Sequence, residues 1–343
     1  MASEIIASLP QKYEAALRSS DLLFFPSSVT NHTEYDVDFE VRVCPALQEK
    51  PKAQNKASIN APGQSDEGRT YDPFAPPYNH NLHIGNIRDE ETEDDYIVLF
   101  NKYSVVPQHF ILATKEYQSQ SSPLTPSDLV TTFQILLAAK RAGRNFFAFY
   151  NCGENSGASQ PHKHVQFFPL VEGTLPPVEK LAVATRLESL EKPFSLARLP
   201  YANHIRRFPP DITFYGHDRL EATLSQAFLQ LLDLVISTAR HDPDYPAGKL
   251  SYNVWMTSEH LHLIPRRHEL YRLSDETTVS VNALGFAGML LVKSENELEA
   301  VKSEGIGKVL LGVGLSSIHE EQVTGTAAEA IDEVSMPPRG SIL

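Results

Sequence analysis

Two cysteines, Cys44 and Cys152, are all that 343 residues contain. Thiols so few and so far apart cannot make a disulfide framework or a four-cysteine zinc site, and they suit a reducing compartment. A cytoplasmic location is expected on that ground, with the nucleus as a second location. Long apolar runs are missing too: none reaches the roughly eighteen residues of a membrane span. Met1–Pro10 carries Glu4 and no basic cluster ahead of an apolar core, unlike a secretory signal. Positive charge is short, with 30 Lys and Arg against 43 Asp and Glu, a net −13. Such a chain lacks the basic face that nucleic-acid binding needs, though a locally positive pocket can still hold a small polyanion. Neither nucleic acid nor membrane is therefore expected as a partner. What remains is average, 41% apolar and 21% charged, which implies a sizeable core in about two domains' worth of chain.

Local pattern divides the chain. Residues 9–20 read as a helix, with Tyr13, Ala16 and Leu17 at helical spacing, and Phe39 to Val43 alternates as a short strand. Residues 48–78 are polar and rich in Pro, Gly, Asn and Lys, a loop of a length that is commonly functional or disordered. Strands follow at 94–101 and 110–114. Thr125 then reads as an N-cap, with Pro126 at the first helical position and Asp128 near the positive helix end. Leu129, Phe133, Leu136 and Leu137 form its apolar stripe, and Gly143 is a plausible stop. A buried strand at 146–150, a loop through 151–161 and a strand at 162–168 complete this half. The second half repeats the rhythm, with a helix over 219–240 and strands at 252–256, 260–264 and 286–292. Ser294 with Glu297 looks like a capping box opening a last helix. Val106-Pro107-Gln108-His109 is echoed by Ile264-Pro265-Arg266-Arg267-His268, a hint of duplicated halves. The fold expected is α+β, an antiparallel sheet with flanking helices in two related halves. Its segments are 1–47, the loop 48–78, halves at 79–210 and 211–314, and a polar tail at 315–343.

The most informative stretch runs from Asn151 to Gln166. Alternation along a strand puts His162, His164 and Gln166 on one face and Lys163, Val165 and Phe167 on the other. A half-exposed strand facing water would explain three polar groups. A metal site would use the two histidines at i, i+2, but no HExxH and no cysteine pair supplies an obvious third ligand. Nucleophilic catalysis on a phosphate ester is the third reading, because an imidazole can attack phosphorus and divide one displacement into two. Such chemistry also needs donors for phosphoryl oxygens. The preceding Ser156-Gly157-Ala158-Ser159-Gln160 loop offers backbone N–H groups and hydroxyls. A small-residue loop feeding a His-x-His-x-Gln strand is more specific than either part alone.

His162-Lys163-His164-Val165-Gln166 resembles the active-site strand of the histidine-triad superfamily, in the transferase branch whose last triad position is Gln. The Gly-Ala-Ser-Gln-x-His-Lys-His context is similar to the fungal diadenosine tetraphosphate phosphorylases, also called ATP adenylyltransferases. Further similar segments are Asp72-Pro73-Phe74-Ala75, Asn101-Lys102, Val105-Val106-Pro107-x-His109, Leu124 to Leu129 and Phe149 to Gly153. Ser251 to Val254, Pro265-Arg266-x-His268 and Gly288 to Lys293 continue the order, so the resemblance spans about residues 40–313. It departs at Val171–Pro210, at Ala283-Leu284 and in the longer tail.

The resemblance implies roles. His164 would be the nucleophile, taking AMP from diadenosine tetraphosphate, releasing ATP, and passing AMP to phosphate as ADP, reversibly. His162 would orient the phosphate or the nucleophile, and Gln166 would donate to a non-bridging oxygen without acting as a base. Gly157, Ala158, Ser159 and Gln160 match a phosphate-binding loop. Lys50, Asn101, Lys102, Asn151, Asn282, Met289 and Lys293 match positions that contact nucleotide, and Ala283 and Leu284 stand at such positions where the family tends to carry polar residues. Lys163 is expected to be a surface charge, while Arg266 and Arg267 either pair with phosphates, whose geometry a guanidinium matches, or are surface charges near a turn. The implied partners are small nucleotides and phosphate, and the implied state is a monomer. No covalent cofactor and no protein-held metal are expected, only a divalent cation such as magnesium accompanying the polyphosphate. Sugar-phosphate nucleotidyltransferases and dinucleoside polyphosphate hydrolases of the same superfamily are the alternatives. The former usually carry Pro between the histidines together with metal-binding residues, and the latter His in place of Gln166.

Overall fold

The computed structural model describes residues 1–46, 72–89, 91–187, 189–248 and 250–317. Helix α1, Ala2–Arg18, buries Ile5, Leu9, Tyr13 and Ala16 and begins well before the expected residue 9. Pro10 sits inside this helix. Proline has no N–H to give the carbonyl four residues back. Here that carbonyl, of Ile6, instead accepts from Arg144 Nη1 at 3.1 Å.

The strands are β1 Leu23–Phe24, β2 Ser28–Glu34, β3 Val37–Val43, β4 His83–Arg88, β5 Asp95–Phe100, β6 Tyr103–Ser104, β7 Phe110–Thr114 and β8 Phe146–Cys152. Then come β9 His164–Pro169, β10 His204–Arg207, β11 Ser251–Met256, β12 His260–Arg266, β13 Leu270–Arg272, β14 Thr278–Ser280 and β15 Met289–Val292. The remaining helices are α2 Pro126–Arg141, α3 Pro177–Ala184, α4 His217–His241, α5 Ala283–Phe286, α6 Glu295–Glu304 and α7 Ile306–Val313. Helix α2 starts as its sequence reads, with a complete capping box between Thr125 and Asp128, and Gly143 follows its end at φ 68°.

One eight-stranded sheet, every neighbour pair antiparallel, runs in the order β10-β12-β11-β8-β9-β7-β5-β4. Residues of α1, α2 and α4 join one core on its first face, with Val98, Tyr150, Val165, Phe167, Val254 and Leu263 turned toward them. The other face carries Phe147, Phe149, Phe168, Trp255 and Ile264 into a second core. A three-stranded sheet, β15-β3-β2, closes that core together with α3, α5, α6 and α7. The N-terminal segment is therefore shared: α1 packs in the first layer, while β3 pairs in parallel with β15 from the far end of the chain. Helix α4 is long and apolar enough to cross a membrane, but Leu220, Leu224, Phe228, Leu231 and Val235 face the first core.

A duplication is visible in the element order. The units β7-α2-β8-β9 and β10-α4-β11-β12 share one connectivity and meet where β8 pairs β11, with Tyr150-Asn151 alongside Tyr252-Asn253 and Asn151 opposite Asn253. The sequence echo does not mark it. Val106–His109 precedes β7, whereas Ile264–His268 ends β12. Two more expectations change. The strand expected over 286–292 starts only at Met289, after the short helix α5, since a continuous apolar run does not distinguish buried helix from strand. At α6, Ser294 caps Glu297 N–H at 3.1 Å, but the Glu297 carboxylate turns to Lys293 N–H rather than completing the box on Ser294.

Candidate active site

His164 opens β9 and is 3% exposed. Its Nδ1 lies 2.7 Å from the carbonyl oxygen of His162, which can only accept, so Nδ1 carries the proton. Burial pushes the ring pKa down to about 4, leaving it neutral at physiological pH. A neutral ring protonated at Nδ1 presents a lone pair at Nε2, and among the described residues that nitrogen has no hydrogen-bond partner. Gln166 shares the face, is half-buried, and makes no side-chain hydrogen bond among the described residues.

His162 does not present its ring as a phosphate ligand. It lies just before β9, bridged to Ser119, with Nδ1 2.8 Å from Asp72 Oδ2 and Nε2 2.8 Å from the Thr114 carbonyl. Both nitrogens are engaged, and it is the His162 carbonyl that orients the His164 ring. The segment holding Asp72 also walls the site: the Phe74 ring lies 5.0 Å from His164 and 5.8 Å from His162. Neither residue carried a role in the sequence reading, although Asp72-Pro73-Phe74-Ala75 stood out as a motif.

The loop between β8 and β9 passes through a single 3-10 turn, Glu154–Ser156, to Gly157 at φ 80°. A Cβ at Gly157 would stand 2.7 Å from Val281 O and 2.9 Å from Asn282 Cβ, so only glycine lets the loop press on the start of α5. Ala158 and Gln160 are half-buried and Ser159 exposed. No backbone N–H from Ala158 to Gln160 is bonded to another described residue, which leaves donors for phosphoryl oxygens. Asn282 caps α5 through Leu284 N–H at 3.0 Å. The Asn151 carboxamide oxygen accepts from Ala283 N–H at 3.0 Å and from Asn253 Nδ2 at 2.8 Å. Thus Asn151, Gly157, Asn282, Ala283 and Leu284 meet in one place, from segments some 130 residues apart, a gap of 132 between Asn151 and Ala283.

Other expected contacts lie farther off. Asn101 and Lys102 follow β5 at the end aligned with Phe110 and Phe167, about three to four residues or ~13 Å along the strands from His164. Asn101 caps Tyr103 N–H at 3.1 Å, and Lys102 is exposed. Met289 is buried, 7% exposed. Lys293 is exposed at the rim of a separate cleft of about 410 Å³ with Pro26, Val43, Pro45 and Glu295. Lys50 lies outside the described residues.

Lys163, expected at the surface, and Arg266, for which the surface was one of two readings, are both buried. Lys163 is 2% exposed and forms an ion pair with Asp128 at the start of α2. Arg266 is fully buried, its N–H groups directed to the carbonyls of Ser156, Val281, His268 and Val313 and to Asn253 Oδ1. Burial lowers its pKa to about 9, so it stays charged behind the loop. Continuing the β12 alternation from His260 through His262 and Ile264 places Arg266 on the site face. Pro265 obscures this in the sequence, yet it is tolerated because β10 pairs β12 only as far as Leu263.

A third ligand type also appears away from His162 and His164. Glu179 on α3 lies 2.9 Å from His260 Nδ1 and 2.8 Å from His262 Nε2, all three buried. Thr257 Oγ1 donates to Glu179 at 2.7 Å, and Arg207 Nε donates to His260 Nε2 at 2.8 Å. The distances are those of a closed hydrogen-bond network. The group nevertheless removes the lack of metal-ligand types as a distinction from sugar-nucleotide transferases.

Comparison with known proteins covers nearly the whole described chain. Residues 2–185 match the Ap4A phosphorylase N-terminal domain and residues 197–316 the ATP adenylyltransferase C-terminal domain. The Saccharomyces cerevisiae protein APA1 is 27% identical over 321 residues, 91% of this chain and 94% of the relative. Diadenosine 5',5'''-P1,P4-tetraphosphate phosphorylase 2 from the same yeast is 28% identical over 303 residues, 85% and 87% of the two chains. The structure of yeast Ap4A phosphorylase Apa2 in complex with Ap4A superposes with a TM-score of 0.69 at 25% identity, covering 90% of this chain and 97% of that one.

Proposed function

The chain belongs to the Ap4A phosphorylase family, and we propose that it converts diadenosine tetraphosphate and phosphate into ATP and ADP through an adenylyl group carried on His164. The observation that carries this reading is the state of His164: neutral, its Nδ1–H fixed on the His162 carbonyl and its Nε2 lone pair unengaged among the described residues. In the first step Nε2 attacks the α-phosphorus, a P–N bond forms, the bridging P–O bond breaks, and ATP leaves with the electron pair. The positive charge that develops on the ring is stabilised at Nδ1–H by the His162 carbonyl. Inorganic phosphate then attacks the same phosphorus, the P–N bond breaks, its electrons return to Nε2, and ADP leaves. The free N–H groups of Ala158 to Gln160 meet the non-bridging oxygens, and buried Arg266 behind Ser156 raises the local positive potential on an acidic protein. Gln166 adds a donor but no base, since an amide takes no proton from water. A divalent cation would arrive with the polyphosphate, because both ring nitrogens of His162 are committed to Asp72 and Thr114.

The test is intact-protein mass after mixing with diadenosine tetraphosphate without phosphate. A gain of one adenylyl group is expected, discharged as ADP when phosphate is added. His164→Ala should lose the adduct and turnover by on the order of 10⁴-fold. Substantial turnover in that variant would remove His164 from the reaction.

A further inference from the structure

Strands β8 and β9 pair from Phe146↔Pro169 as far as Phe149↔Gln166. Two residues further on, Asn151 and His164 stand in register but no longer pair, because the chain opens there to form the phosphate-side loop. Their backbone groups are still satisfied. Gln120, 4% exposed in the connection between β7 and α2, fills the gap. Its Oε1 accepts His164 N–H at 2.8 Å, and its Nε2 donates to Asn151 O at 2.7 Å, with His164 O at 3.4 Å. The carboxamide thus takes the place that a peptide group of an inserted strand would occupy, accepting from one strand and donating to the other. The Gln120 backbone grips both stems of the same loop: its N–H donates to Pro161 O at 2.8 Å, and its carbonyl accepts from Gly153 N–H at 3.4 Å and Tyr150 Oη at 2.9 Å.

We infer that Gln120 is a positioning residue for adenylyl transfer, its carboxamide holding the nucleophile strand at a fixed distance from the phosphate-binding loop. The inference rests on His164 as the nucleophile. Gln120 touches neither the imidazole nor the substrate face. It acts through the His164 backbone, so its loss moves the attacking nitrogen relative to donors that still bind phosphate. Nothing in Gln118-Ser119-Gln120-Ser121-Ser122 separates this glutamine from its polar neighbours in sequence.

Steady-state kinetics with diadenosine tetraphosphate and phosphate, alongside adduct formation in a single turnover, test the role. Gln120→Leu, similar in size but without polar groups, should lower kcat by about 10²-fold, as a displacement near 1 Å does, with KM little changed. Gln120→Glu supplies the decisive profile. A protonated carboxyl offers a C=O and an O–H where glutamine offers a C=O and an N–H, whereas a carboxylate can donate nothing to Asn151 O. Burial against carbonyl oxygens favours the neutral form. The kcat of Gln120→Glu relative to wild type should therefore rise as pH falls. Wild-type kcat in Gln120→Leu, or a loss confined to KM, overturns the proposal. Should Gln120→Leu not fold, a flat relative profile for Gln120→Glu overturns it alone. Failure of the underlying reading is distinguishable, because His164→Ala would then still form the adduct whatever Gln120 does. With His164 as nucleophile, adding Gln120→Leu to His164→Ala should change the residual rate no further.

Discussion

Burial does two things to His164. It keeps the ring neutral, with a pKa near 4, and it makes the native state refuse a proton that the unfolded chain accepts near 6.5. Between those values the unfolded chain binds more protons. The stability tied to the neutral ring is therefore complete above pH 6.5 and is lost as pH falls toward 4. His262 behaves alike, lowered to about 4 by burial. Glu179 loses its part only below its ordinary value of 4.5, since bonds from His260 and His262 outweigh the upward push of burial and hold it at about 2. The thermal midpoint should accordingly fall from pH 6.5 to 4, and His164→Gln should flatten the decline. Calorimetry across that range checks the sign. A slope unchanged in His164→Gln would mean that the imidazole is not held neutral by burial. The motif singled out His164 as a candidate. The means of holding it was not legible there, because the His162 carbonyl, Asp72, Thr114 and Gln120 come from three separate stretches of chain.

At the scale of elements, the tie between β9 and α2 explains why a lysine stands between the two histidines. Lys163 points away from the substrate face, as alternation required, but the reverse face is the helix-side core and not solvent. There Asp128 receives it while also accepting from Tyr96 Oη at 2.9 Å and Thr125 N–H at 2.8 Å. Truncating one partner of a buried pair leaves the other charge stranded, at a cost of roughly 3–5 kcal/mol. Lys163→Met should therefore lower the thermal midpoint by several degrees, and adding Asp128→Leu should restore part of it. Wild-type stability in Lys163→Met would show the pair to be energetically idle. Period and cap signals made β7, α2, α4 and β11 readable within a few residues. They failed at the bounds of three elements: the first helix starts before Pro10 and not at residue 9, β12 runs on through Pro265 to Arg266, and 286–292 is not one strand.

For the molecule as a whole, the seam between β8 and β11 joins the two related halves into one sheet, and β3 reaches across to pair β15. The only tryptophan, Trp255, is fully buried beside that seam with its ring stacked on His262. If the halves share one cooperative unit, Trp255 emission in the C-terminal half and far-ultraviolet circular dichroism of all elements should follow the same urea transition. Two separated transitions would make the halves independent. A duplication was expected from the echo of Val106–His109 in Ile264–His268, but the copies align through Tyr-Asn on the paired central strands, a match too short to identify before the pairing was known.

The sequence by itself determined the family and the class of enzyme, because its motifs keep one order from about residue 40 to 313. It also determined most elements, since hydrophobic period and caps are local properties. Only the tertiary structure decided which polar groups surround the candidate histidine. It engaged the His162 ring elsewhere and moved Lys163 and Arg266 from solvent into the core. It also brought Asn151 to Ala283 and set Gln120 between two parted strands. Burial and long-range hydrogen bonding depend on what the rest of the chain places opposite a residue, and no window of neighbours along the sequence contains that information.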